Sequence, residues 1–144
     1  MSTKIRSEIS KKNRWYISKK RYLELYYFCL QYPEWKQTYA ELEEGRSCSA
    51  SFLKIKEDLE INDPTGDDAV EKVILKEKIE LVETVANGTD VDLGKYILKA
   101  VTEGLPYTKM KTIYEIPCER DMYYDRYRKF FYLLNRARKT QFLL

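Results

Sequence analysis

Between residues 92 and 134 a helical pattern is interrupted twice, at Gly104-Leu105-Pro106 and at Ile116-Pro117-Cys118. Glycine accepts the left-handed conformation that closes a helix, and proline disfavours helix at the residue before it. The stretch can therefore form three short helices but not one long one. In the first, 92–103, Leu93, Tyr96, Ile97, Ala100 and Val101 recur at i, i+3, i+4, i+7 and i+8, the spacing of a single buried stripe. The second, 108–115, turns Met110 and Ile113 inward and leaves Lys109 and Lys111 outside. Pro117 ends it, and Cys118 opens a third helix that offers Tyr123, Tyr127, Phe130 and Leu134 to a core. The other faces of that helix carry Arg120, Tyr124, Arg126, Arg128 and Lys129. A short helix, a three-residue turn and a longer basic helix are the parts of a helix-turn-helix.

The remainder also reads as helix, so the expected class is all-α. The anticipated layout is an N-terminal helical hairpin, a long central helix and a C-terminal three-helix module over 92–144. Residues 1–14 are polar and contain Lys11, Lys12 and Arg14, which suggests a flexible basic arm. The region 15–91 follows. Ser18 is an N-cap candidate for a helix 19–31 that buries Tyr22, Leu25, Tyr26, Cys29 and Leu30. Pro33 suits the first turn of a second helix, which buries Trp35, Tyr39 and Leu42 and stops at Gly45. Together these form the hairpin 18–45. Residues 46–51 read as loop, 52–61 are ambiguous, and Asn62-Asp63-Pro64-Thr65-Gly66 is a turn. Asp67 then caps the long helix 67–87, closed by Asn87-Gly88. Its apolar residues make two adjacent rows, Val70, Ile74, Leu81, Val85 and Leu75, Ile79, Val82, Ala86. Such a wide face suits packing within the chain or against a second copy.

Charge is distributed unevenly. Residues 1–46 hold 10 basic and 6 acidic side chains, residues 47–94 hold 5 and 12, and residues 95–144 hold 11 and 5. The basic excess thus coincides with the proposed reading helix. Several chemistries lack their parts. There is no histidine, the commonest general base and metal ligand. Cys29, Cys48 and Cys118 have neither zinc spacing nor an even count, and suit reduced intracellular thiols. The five glycines form no phosphate-cradling loop. Neither an enzyme nor a cofactor is expected. No run of 18 apolar residues occurs, so a cytoplasmic protein with no membrane partner is expected.

The functional reading of these residues is double-stranded DNA as partner. The first turns of the last helix would enter the major groove. Glu119 and Arg120 are the candidates for base edges, and Tyr124 for a base or a phosphate. Lys109, Lys111, Arg126, Arg128 and Lys129 are read as phosphate contacts. Against this, Asp121 and Asp125 lie among these bases and could pair with Arg128 or Lys129, leaving a merely solvated face.

Gly104-Leu105-Pro106-Tyr107, then Met110, Ile113 and Ile116-Pro117, resembles the pattern in the fourth conserved region of sigma factors. Residues 116–131 are similar to the C-terminal ends of small phage and prophage late-transcription regulators of the ArpU and RinA type. Asn62-Asp63-Pro64-Thr65 before a long helix is similar to those proteins too. Glu115 stands where many such turns have glycine, and Lys111 where they have a small alanine. The resemblance implies a transcription regulator in a bacterial host cell that reads duplex DNA with helix 119–135. The N-terminal helices would then supply RNA polymerase contact or a homodimer, through 67–87 or through the hairpin. The alternative is a phage-encoded adaptor or inhibitor of a host protein that does not read DNA.

Overall fold

The computed structural model describes residues 11–45 and 64–143. The arm up to residue 10, the loop 46–51, the stretch 52–61 and Asn62-Asp63 lie outside the described residues. The described chain is all-α, with six helices: α1 (Lys19–Leu30), α2 (Tyr32–Glu43), α3 (Pro64–Thr89), α4 (Gly94–Glu103), α5 (Tyr107–Tyr114) and α6 (Arg120–Leu143). No helix among the described residues is long and apolar enough to cross a membrane.

Local chemistry explains most helix ends. Ser18 Oγ accepts the Arg21 N–H (3.3 Å) and starts α1, as expected. Gly45, at φ 79°, follows the end of α2. The long helix departs from expectation at both ends. It begins at Pro64, since proline is already set for a first helical position and needs no N–H there. It also runs through Gly88 to Thr89, whose hydroxyl donates to the Val85 carbonyl (2.7 Å). Asp90 then breaks it, its Oδ1 accepting the N–H groups of Asp92 and Leu93 (both 2.9 Å), so that α4 starts at Gly94 rather than Asp92. A Cβ on Gly94 would lie 3.0 Å from the Ala86 carbonyl oxygen, so this crossing needs a residue without one.

The chain divides into two compact units, one of residues Met1–Gln31 and Leu81–Leu144, the other of Tyr32–Glu80. This division cuts α3. Within the first unit α1 lies against α4 and α6. Its core contains Tyr22, Leu25, Tyr26 and Cys29 of α1, Val82, Val85 and Ala86 of α3, and Ile97, Ala100 and Val101 of α4. Met110, Ile116, Tyr123, Tyr127, Phe130, Phe131 and Leu134 complete it, all essentially inaccessible. Each large apolar side chain so buried contributes roughly 1.5–3 kcal/mol.

Aromatic rings dominate this core. Tyr22 meets Phe131 edge-on (5.1 Å between centroids), and the Tyr22 and Tyr127 hydroxyls share a hydrogen bond of 2.8 Å. Burial pushes the Tyr127 phenol well above its ordinary range. That shared bond satisfies two hydroxyls which would otherwise be costly inside an apolar core.

The second unit comprises α2 and the first part of α3. Trp35 and Leu42 are buried on α2, and Leu75 and Ile79 on α3. Lys72 pairs with Glu43 (2.8 Å) and lies 5.8 Å from the Tyr39 ring centroid; Lys78 lies 5.6 Å from that of Trp35. Of the two apolar rows expected on the long helix, the one through Leu75 and Ile79 is buried. Val70, Val73 and Ile74 are exposed.

Candidate nucleic-acid interface

The site is built around two turns. The first closes α4 at Gly104 (φ 68°), with the Leu105 N–H donating to the Ala100 carbonyl (3.0 Å). Tyr123 reaches back from α6 and donates its hydroxyl to the Leu105 carbonyl (2.7 Å). Pro106 then precedes α5 in an extended conformation, and the chain re-enters helix at Tyr107.

The second turn spans five residues, 115–119, not three, and Cys118 does not open α6. Glu115 adopts the left-handed conformation (φ 52°, ψ 45°), taking the strained option that a non-glycine residue has here. The Glu115 N–H points at the Met110 carbonyl, which the Ile116 N–H also reaches (3.4 Å). This reversal carries Ile116 into the core, while Ile113, expected inside, is 56% exposed. Two side chains of α5 hold the turn. Lys111 Nζ donates to the Ile116 carbonyl (3.1 Å), and the Tyr107 hydroxyl donates to that of Cys118 (2.8 Å). The first helical acceptor is Glu119, which receives the Tyr123 N–H (3.0 Å), and α6 starts at Arg120.

The eight predicted site residues separate into two groups. Lys109, Lys111, Glu119 and Arg120 are exposed, on α5 and at the start of α6. Tyr124, Arg126, Arg128 and Lys129 are half-buried further along α6. Arg120 Cζ lies over two rings, 5.3 Å from the Tyr107 centroid and 5.9 Å from that of Tyr124. Tyr124 in turn stands edge-on to the buried Tyr123 (5.0 Å).

Two of the half-buried cations, Arg126 and Lys129, have partners within the unit, whereas the Arg128 Nε is buried without a hydrogen bond. Arg126 Nε donates to Asp90 Oδ2 (2.8 Å), and its Nη1 donates to Asp125. Arg126 holds the Asp90 carboxyl below the usual range, with smaller help from the Leu93 and Asp92 N–H groups. Burial lowers the Arg128 guanidinium, opposed by the nearby Asp125. Lys129 Nζ lies 5.6 Å from the Trp15 ring centroid. Trp15 donates its indole N–H to Asp125 Oδ1 (3.1 Å) and meets Tyr132 edge-on (5.3 Å). Within the stretch 1–14, expected as a flexible basic arm, Arg14 reaches Asp125 (4.0 Å) and lies 4.6 Å from the Trp15 centroid.

Tyr107 and Trp15 are the residues to which sequence reasoning assigned no role at the site. Tyr107 directly follows the Gly-Leu-Pro punctuation, a visible signal. Trp15 carried none, since it lies 110 residues from Asp125. Comparison of the chain with protein-family models, curated proteins and solved structures finds no match.

Proposed function

We propose that this protein is a DNA-binding regulator that reads duplex DNA with the start of α6, of the kind the sigma-like and phage-regulator resemblance implies. The observation that carries this reading is the exposed group Lys109, Lys111, Glu119 and Arg120. These residues lie on α5, in the turn after it and at the first residue of α6, whereas Tyr123, Tyr127, Phe130, Phe131 and Leu134 of α6 are buried. A helix placed with its first turn in the major groove presents such residues to base edges and phosphates. Arg126 and Lys129, with carboxylate or ring partners of their own, serve mainly to hold α6 in place. The phosphate contacts accordingly centre on Lys109, with Lys111 beside it donating to the Ile116 carbonyl and contributing its charge.

Binding of the full chain to pooled random duplex DNA across a salt series, beside Lys109→Ala and Arg120→Ala, tests the proposal. Steeply salt-dependent binding with recovery of one enriched motif supports it. A palindromic motif would add a homodimer. No binding near physiological salt overturns it.

A second reading, an adaptor that docks on a host protein, draws on the exposed Ile113 (56%) and Met122 (46%) near the same turn. It predicts a partner lost on Ile113→Asp or Met122→Asp, with weak salt dependence. RNA polymerase would be one such partner.

A further inference from the structure

We infer that Tyr107 and Tyr124 are positioning residues, whose rings hold the Arg120 guanidinium at the start of α6 in the pose that meets a guanine edge. This rests on the DNA-binding reading above. An arginine free in solvent samples many rotamers, and much of that freedom is lost when its fork pairs with guanine O6 and N7. Bracing the group beforehand reduces that loss. Aromatic rings suit the task because they attract the cation through their faces without consuming its N–H donors.

The bracing is itself rigid. Tyr107 is fixed at its hydroxyl by the Cys118 carbonyl (2.8 Å), and its ring lies against Tyr123 (5.6 Å). Tyr124 is fixed against the same buried Tyr123 (5.0 Å). Both rings are therefore mounted on one inaccessible side chain, and Arg120 lies within 6 Å of each. Among the described residues no carboxylate pairs with Arg120, in contrast to Arg126, whose donors are taken by Asp90 and Asp125. Arg120 is thus held in place with its donors available.

The test is selection from pooled random duplex DNA by full-length wild type, Arg120→Lys, Tyr107→Phe, Tyr107→Leu and Tyr124→Leu. The wild type is expected to enrich a guanine at one position. Arg120→Lys, Tyr107→Leu and Tyr124→Leu should lower the preference for that guanine roughly tenfold. Tyr107→Phe keeps the ring and loses only the hydroxyl tie, so its preference should fall less than that of Tyr107→Leu; an equal fall would overturn the role of the ring. Tyr124→Leu removes a half-exposed ring and decides the matter if Tyr107→Leu fails to fold. In the free protein, ring-current shifts of the Arg120 Nε–H resonance should shrink in Tyr124→Leu. Undiminished guanine preference in both leucine variants overturns the inference and leaves DNA binding standing. Absence of any duplex binding by the wild type overturns both.

Discussion

The two turns that frame α5 solve one problem by different means. Each must reverse the chain through a left-handed residue, and each is then tied by a tyrosine hydroxyl to a turn carbonyl. At the first turn the residue is Gly104. A Cβ there would lie 3.1 Å from the Tyr26 hydroxyl and 3.2 Å from Leu30 Cδ2, so glycine is needed for space as well as for φ. At the second turn the residue is Glu115, exposed, where only the backbone resists. The difference teaches where strain can be tolerated. A turn packed under α1 has no room for it, whereas one facing solvent can carry a strained residue if side chains such as Lys111 and Tyr107 hold its carbonyls.

The largest expected effect comes from removing the first solution. Gly104→Ala combines left-handed strain with a crowded Cβ and should destabilise by about 2 kcal/mol, read from urea unfolding. Asp90→Ala, which frees the Asp92 and Leu93 N–H groups and unpairs Arg126, should cost about 1.5 kcal/mol. Solvent reaches this pair, so most of that loss comes from the cap rather than the charge. Because the folded Asp90 carboxyl titrates below its unfolded value, its contribution is full above about pH 4 and lost as pH falls through the folded value. Asp90→Asn should accordingly flatten the acid side of the stability profile. A slope equal to wild type would show that the bridge does not couple to folding.

The tyrosine ties are next. Tyr123→Phe and Tyr107→Phe should each cost about 1 kcal/mol, with Tyr123→Phe the larger because the whole residue is buried. Equal losses would show that the two ties do not differ as burial implies. The smallest effect should run the other way. Glu115→Gly relieves the left-handed strain and should stabilise by about 0.5 kcal/mol, net of the added freedom of the unfolded chain. Destabilisation instead would mean that the Glu115 side chain has a role of its own.

Most helix positions were legible because their signals are local. Ser18, Pro33, Gly45 and Gly104 act through their own backbone or the next turn, and the stripe Leu93, Ile97, Ala100, Val101 is visible as a spacing. The buried face of α6 was legible for the same reason. The site was legible only in part. Arg120 and Lys109 are exposed as expected, but nothing in the spacing showed that Arg126 would meet Asp90, or Lys129 would meet Trp15. Those partners lie 36 and over a hundred residues away.

The sequence by itself therefore determined an all-helical chain, punctuated twice near its C-terminus, with a basic and aromatic last helix. Those features depend on φ preferences, capping and periodicity, which act within a few residues. Only the tertiary structure decided that α1 packs against α4 and α6, and that Ile116 replaces Ile113 in the core. It also decided that α6 starts at Arg120, after a turn whose Cys118 carbonyl accepts the Tyr107 hydroxyl. Each of these is a competition among groups brought together by packing, and no local preference can rank them.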